Sequence, residues 1–444
     1  MTLPPEPDIS PNMQTMQWVS RPYSFLEECE ESLGTPFTLD LKNHGKYVLF
    51  SDPKAIGDIL SAPEDVLVAS KGNRILRPLL GSRSLLLIDG AHHRRLRRLI
   101  LPAFHRKKVA RFGKSIQEIT TQELNHWPLH QSFSMRDAMQ RVSLKIILKV
   151  LFGLESGRSF EALTDAFDEI LSNDRFNLAL IGRLDDDGRT EQSKLGRDFR
   201  AALQRACGLV DEEIDRRRKQ ANTPPNGVLD LLLCSTDEDG EHLDDEEIRD
   251  QLVTLIATGH ETTATALAWA VYWILSTPNV LTQFRKSLDS LGPNPTTGAV
   301  AKLAYLDAIC KETLRIYPIV PIIARWVARP YEIQGITIEA GVTVSPAIYL
   351  THHRPEIYES PDQFQPARFM EHNYSATEYL PFGGARRRCI GSNLAIYEMK
   401  LILAAIFESV ELQLVGSAPV RPVRKLVTIS PADGTRVQVV RRLC

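Results

Sequence analysis

Cysteine is scarce in this chain: six in 444 residues, at positions 29, 207, 234, 310, 389 and 444. No two are spaced C-x-x-C, which argues against a zinc knuckle or a thioredoxin-like motif. A chain of this length needs no disulfide frame to bury a core, and five of the six read as buried reduced thiols. An excess of one charge is also missing, with 53 Lys and Arg against 55 Asp and Glu. That balance excludes a polyanion binder working through bulk charge. With 43% hydrophobic residues it also excludes wholesale disorder. The opening MTLPPEPDISPNM has no apolar run, so neither a secretory signal nor a membrane anchor is expected there.

One apolar stretch, Leu252 to Leu275 (LVTLIATGHETTATALAWAVYWIL), has the length of a membrane span. His260 and Glu261 lie in its middle, and an acid at a bilayer centre costs about 2.5–3.5 kcal/mol. A long helix sequestered in a large soluble core explains the stretch better. Asp244, with Glu247 three residues on, reads as a capping box, and the pattern continues to Ser276 before Pro278. Some 33 residues would make a rod of roughly 50 Å.

Strands are expected at Thr38 to Phe50, Arg329 to Val344 and Leu412 to Val440, where β-branched runs alternate and Asn43-His44-Gly45, Gln334-Gly335 and Ala340-Gly341 supply turns. Residues from about 90 to 318 read as helices. Surface loops are expected at Asp185 to Gly188, Asn222 to Gly227 and the acidic Asp237 to Glu241. Length alone suggests about three domains. No repeat or linker divides the chain, so one mainly α unit over 1–444 with a small β region is expected, after a proline-rich segment of about 20 residues.

The densest local signal is Pro381-Phe382-Gly383-Gly384-Ala385-Arg386-Arg387-Arg388-Cys389-Ile390-Gly391, running into a periodic helix. Glycines permit a tight turn. A cysteine at a helix start among arginines is expected to favour its thiolate, which suits a haem iron ligand. Taken alone, a structural cysteine explains the loop as well. A zinc-protease reading of His260-Glu261 fails, because Ala264 stands where the second histidine belongs.

At this point the sequence resembles the cytochrome P450 family, the haem-thiolate monooxygenases. Phe382, Arg387, Cys389 and Gly391 match the family's Phe-x-x-Gly-x-Arg-x-Cys-x-Gly loop, while Ala385 replaces the glycine four before the cysteine. Lys311-Glu312-Thr313-Leu314-Arg315 carries the Glu-x-x-Arg pair, and Phe364-Gln365-Pro366-Ala367-Arg368-Phe369 resembles the stretch that adds a second arginine. The resemblance implies a buried Glu312–Arg315–Arg368 cluster supporting the cysteine loop. Ala257-Thr258-Gly259-His260-Glu261-Thr262-Thr263 resembles the family's oxygen-side motif, with Thr258 in place of a glycine. There the resemblance implies a local helix distortion, Thr262 hydrogen-bonding bound oxygen, and Glu261 relaying protons through water.

Between Asp89 and Lys114 stand nine Lys or Arg and one Asp. Nucleic-acid binding does not fit the near-neutral chain, and a solvated helix face would explain the run. The resemblance assigns His93 and Arg97, one turn apart, to the haem propionates, with Arg325 and Arg387 as further partners. It leaves Arg94, Arg95, Arg98, Arg386 and Arg388 around a basic proximal face for a ferredoxin or flavodoxin-type electron donor. The cofactor implied is haem b, its iron held by Cys389.

The apolar loop Pro318 to Ala324, with Ile319, Val320 and Ile322, and the segment Leu79 to Ile88 correspond to substrate-contact regions, as do Ala257 and Thr258. A lipophilic small molecule, a fatty acid or terpenoid, is the expected substrate. A soluble, cytoplasmic, monomeric protein without integral anchor or fused reductase is expected. Two rivals are a haem-thiolate enzyme that rearranges or uses peroxides, and a haem-based sensor without turnover.

Overall fold

A computed structural model describes residues 3–154, 156–173, 193–220, 226–425 and 427–443. Its organising element is the helix Asp245–Ser276. Asp244 caps it: its carboxylate accepts the Glu247 N–H at 2.8 Å, and Glu247 accepts the Asp244 N–H at 3.2 Å. Three acids in the first turn suit the positive end of the helix dipole. Burial on nearly every side accounts for a sequence that is apolar all round.

The main packing partner is the helix Met135–Phe152, which Ser134 caps through the Asp137 N–H and Gly153 ends in a left-handed conformation, φ 65°. Gly259 lies at the crossing. A Cβ there would meet Ile147 Cδ1 at 3.2 Å, so the residue is small because two helices approach. The helices Ala304–Ile316 and Ser392–Ser409 pack on the other side, and all four share one apolar core. Among the described residues no helix is long and apolar enough to cross a membrane.

The expected β regions are present. Phe37–Leu41 and Gly45–Phe50 form an antiparallel hairpin turning at Asn43 and Gly45. Gly45–Phe50 pairs in parallel with Thr343–Pro346, which continues through Arg325–Val327 to Leu67–Val68, completing five strands. A second hairpin, Tyr331–Ile333 with Ile336–Ile338, turns at Gln334-Gly335. Near the C-terminus Arg436–Arg442 pairs on one side with Ser132–Ser134 and on the other with Val410–Leu414, while Pro422–Lys425 and Thr428–Pro431 form a separate hairpin.

The loop at Asp185 to Gly188 lies outside the described residues, as do residues 222–225 of the Asn222 to Gly227 loop. The acidic loop is folded onto itself, Asp237 accepting the N–H groups of Asp239 and Glu241 at 3.0 and 2.9 Å.

Candidate active site

A cavity of about 850 Å³ separates the middle of the long helix from the cysteine loop. It gathers residues that lie up to 300 positions apart in the chain. Ala257, Thr258, Glu261 and Thr262 line one side and Cys389 the opposite loop; Ile319, Val320 and Ile322 form part of the wall. His93, Arg97, Arg325 and Arg387 also line it.

The loop is fixed by its own backbone, the Cys389 N–H donating to Phe382 O at 2.9 Å. The helix Ser392–Ser409 starts directly after Gly391, as the sequence suggested. Cys389 is solvent-accessible only in that it opens onto the cavity; protein surrounds it otherwise. Its thiol is not the ready thiolate expected. Burial raises its pKa and outweighs the opposing effects of the Gly391 N–H, Arg97, Arg388 and the Ser392 N–H. Arg387 points elsewhere, and a metal would have to complete the deprotonation, as coordination does.

Ala385 stands at φ 49°, in the left-handed region that favours glycine. That conformation costs a residue with a Cβ about 1–2 kcal/mol. Ala385→Gly is therefore expected to raise the unfolding temperature slightly, and Ala385→Val to lower it by about 2–4 °C. Calorimetry of the two variants checks this; equal shifts of the same sign would remove the strain assignment. At the neighbouring Gly384 a Cβ would stand 2.6 Å from Leu60 Cδ1, so the end of the Leu60 side chain would have to shift to admit one.

Arg97, Arg325 and Arg387 gather around His93 on the cavity wall. His93 and Arg97 share a face of the helix Gly90–Ile100. Arg325 comes from a strand and Arg387 from the cysteine loop. Burial, then Arg387 and Arg97, push the His93 pKa down to about 4. Burial and Arg387 push Arg325 down to about 10, and burial lowers Arg97 and Arg387. Two acids face the cluster. Arg387 Nη2 lies 2.5 Å from Asp89 and also donates to Ile88 O at 2.8 Å. Glu64 Oε1 stays 3.9 Å from His93 Nδ1, and both atoms are buried without a hydrogen-bond partner. Three guanidiniums and an imidazole crowded on one cavity wall, against only two acids, are what a ligand with two carboxylates would relieve, so the residues present fit a haem and its propionates.

On the opposite wall the long helix runs unbroken, so the expected distortion does not interrupt it. Its hydroxyls instead bond back to the preceding turn: Thr258 to Thr254 O and Thr262 to Thr258 O, each at 2.7 Å. Glu261 is clamped from the helix Met135–Phe152, by Arg136 Nη2 at 2.6 Å and Gln140 Nε2 at 2.9 Å. Sequence reasoning missed this pair. The sequence offers only the i,i+4 spacing of Arg136 and Gln140, in a helix that also carries Asp137, Arg141, Lys145 and Lys149.

Behind the loop, Glu312 and Arg315 are fully buried and Arg368 is nearly so. Arg315 Nε donates to Glu312 Oε2 at 2.7 Å, and Arg368 Nε to Glu312 Oε1 at 3.1 Å. A fourth residue ties them to the loop. Buried His352 bonds Arg315 O through Nδ1 at 3.1 Å and accepts the Leu380 N–H at Nε2, 3.0 Å. Burial and Arg315 hold its ring neutral. Nothing in the sequence around His352 announced that link.

The basic surface differs from the expectation. Arg94 pairs with Glu64, Arg95 with Asp237 and Glu247, and Arg98 with Glu238, so the acidic loop neutralises much of that helix. Arg386 and Arg388 remain exposed, and Arg106, Lys107 and Arg111 join them. These last three follow Phe104, whose carbonyl accepts the Asn393 side chain at 3.1 Å, beside the start of the cysteine's helix.

Comparison with known proteins agrees with the geometry. The Cytochrome P450 family model matches residues 4–437. Cytochrome P450 135B1 of Mycobacterium tuberculosis is 35% identical over 441 residues, covering 99% of this chain and 92% of that protein. Cytochrome P450 137 of the same species is 31% identical over 411 residues, covering 91% and 83%. The crystal structure of the cytochrome P450DA heme domain superposes with a TM-score of 0.85 at 25% identity, covering 100% of this chain and 98% of that one. Retinoic acid-bound cyanobacterial CYP120A1, at 22% identity and TM-score 0.85, covers 100% of both and shares the fold. A cysteine loop facing a threonine-bearing helix across a cavity, matched along nearly the whole chain, places this protein in the cytochrome P450 family of haem-thiolate monooxygenases.

Proposed function

We propose that this protein inserts one oxygen atom from O2 into a C–H bond of a lipophilic small molecule, using electrons from a separate donor. The observation that carries this reading is that Cys389 and Thr262 line one and the same mainly apolar cavity. Cys389 would ligate the iron of haem b, and His93, Arg97, Arg325 and Arg387 would hold its propionates. Haem, when bound, supplies oxygen activation and C–H oxidation, to which a thiolate ligand contributes electron density.

The remaining work falls to this chain. Thr262 sits with its hydroxyl bonded to Thr258 O, so its proton is already directed and its oxygen is free to accept another hydrogen bond. Glu261 is the adjacent acid, kept in place by Arg136 and Gln140. Ile319, Val320 and Ile322 with Ala257 supply an apolar wall that orients a hydrocarbon and excludes water, and Thr258 narrows the oxygen side. A fatty acid or terpenoid suits such a wall. The Glu312–Arg315–Arg368 cluster, through His352, would keep the loop rigid beneath the reaction. Arg386 and Arg388, with Arg106, Lys107 and Arg111, offer a basic surface on which a small acidic ferredoxin or flavodoxin could dock.

Thr262→Ala tests the proton-holding role. Its cysteine-ligated spectrum is expected to persist, while product formation falls on the order of 10²-fold, the low end for a lost proton-transfer group. Oxygen consumption continues, so the ratio of product to oxygen consumed drops with it. An unchanged ratio, measured with a ferredoxin, its reductase and a lipid panel, would remove Thr262 from the reaction.

A further inference from the structure

The unexplained contact in this site is the one between Glu64 and His93. Glu64 lies in the loop between the helix Pro53–Ser61 and the strand Leu67–Val68. Its Oε2 is held by Arg94 at 2.8 Å, which turns Oε1 toward His93 Nδ1. The two atoms are buried and face each other at 3.9 Å, and among the described residues neither has a hydrogen-bond partner. A cavity of about 20 Å³ beside Glu64 gives the carboxylate room to move or to share a water. With Nδ1 directed at Glu64, the other ring nitrogen is left to the large cavity that His93 lines.

This geometry constrains the proton count of the ring. A bare Nδ1 would set a lone pair against a carboxylate. A neutral ring with its proton on Nδ1 would have no hydrogen left for an anion in the cavity. Both carboxylates are satisfied only when the imidazole carries two protons. We propose that Glu64 is a positioning residue for the cofactor: it accepts the Nδ1 proton of His93, the ring donates its Nε2–H to a haem propionate, and haem loading takes up one proton from solvent. The inference rests on the reading that a haem with its propionates occupies the large cavity.

The charged groups around the ring decide the direction of the effect. Arg94 and Arg97 flank it on its own helix, Arg325 faces it from a strand, and Arg387 from the cysteine loop. Asp89 opposes them. Without a cofactor the cations and burial win, and the His93 pKa stands near 4. A propionate reverses the balance and raises it. Above about pH 4, haem affinity then falls up to tenfold per pH unit as pH rises, until the raised pKa is passed and the curve levels.

The test follows haem loss from the holoprotein to excess apomyoglobin between pH 5.5 and 8.5. The native protein is expected to lose haem at least tenfold faster at pH 8 than at pH 6. Glu64→Gln should lose it about tenfold faster than native at pH 6, with the two rates converging by pH 8.5. Arg94→Gln, which frees the Glu64 carboxylate without removing it, should keep the native slope. If Glu64→Gln does not fold, Glu64→Asp, which withdraws the carboxylate from Nδ1, must flatten the curve. Parallel curves for native protein and the Glu64 variant would overturn the proposal. A holoprotein that shows the spectrum of cysteine-ligated haem yet gives parallel curves sinks the role of Glu64 alone. Absence of that spectrum sinks the underlying reading.

Discussion

Glu312→Ala is expected to destabilise the protein by about 3–5 kcal/mol and to leave most of the purified chain without haem. The reason is the company Glu312 keeps. Its carboxylate accepts hydrogen bonds from Arg315, Arg368 and the Gln365 N–H, all in the interior. Removing it strands two guanidiniums whose other partners are backbone carbonyls: His352 O and Gln363 O for Arg315, Glu359 O for Arg368. Carbonyl oxygens solvate these cations but do not neutralise them. The damage reaches the cysteine, because Arg315 O is the anchor of His352 and His352 is the anchor of Leu380, one residue before the loop begins. Glu312→Gln, which keeps the shape and loses the charge, should be nearly as harmful. Denaturant unfolding and the ratio of haem to protein absorbance check both; a change under about 1 kcal/mol with full haem content would show that the cluster does not support the loop.

The second large effect is expected from Cys389→Ala. Its side chain faces the cavity rather than packed neighbours, so its loss opens no new void in the core. Unfolding of the haem-free variant should therefore stay within about 1 kcal/mol of the haem-free native protein, while oxygen insertion disappears into background. Any haem retained would be held by the basic cluster and the apolar walls alone. Secondary structure by circular dichroism, with turnover measured alongside, separates this outcome from simple unfolding. Full turnover in the alanine variant would remove Cys389 from the reaction.

These two residues also show how differently parts of the site could be read from the chain. Cys389 stands in a loop whose glycines, arginines and following helix are contiguous, and contiguity is what sequence displays. The long helix was legible for the same reason, its cap at Asp244 and stop at Ser276 both being local. Three strands of the five-stranded sheet, Phe37–Leu41, Gly45–Phe50 and Thr343–Pro346, overlap the expected alternating runs, but Leu67–Val68 and Arg325–Val327 lie outside them, and pairing across 300 residues could not be read. What stayed hidden depends on which groups meet in space. Arg136 and Gln140 reach Glu261 from another helix, and Glu64 meets His93 from a loop 29 residues away. Arg94, Arg95 and Arg98 look like a free basic face until the folded acidic loop and Glu64 are seen to cover them. The thiol of Cys389 makes the same point in its electrostatics. Helix start and arginines favour ionisation, but enclosure by protein, which no local pattern reveals, outweighs them.

Gly259 carries a similar lesson about cause. Beside threonines in a helix it suggests a place where the helix gives way, yet the helix is continuous and the residue is small because Ile147 presses against it.

The central claim is that Cys389 is the thiolate ligand of a haem enclosed by this chain. The most direct measurement is the difference spectrum of the reduced protein with and without carbon monoxide. A thiolate opposite carbon monoxide gives a far red-shifted Soret band, and the account predicts that band in the native protein and its absence in Cys389→Ala. A native protein that is folded and loaded with haem but lacks the band would contradict it.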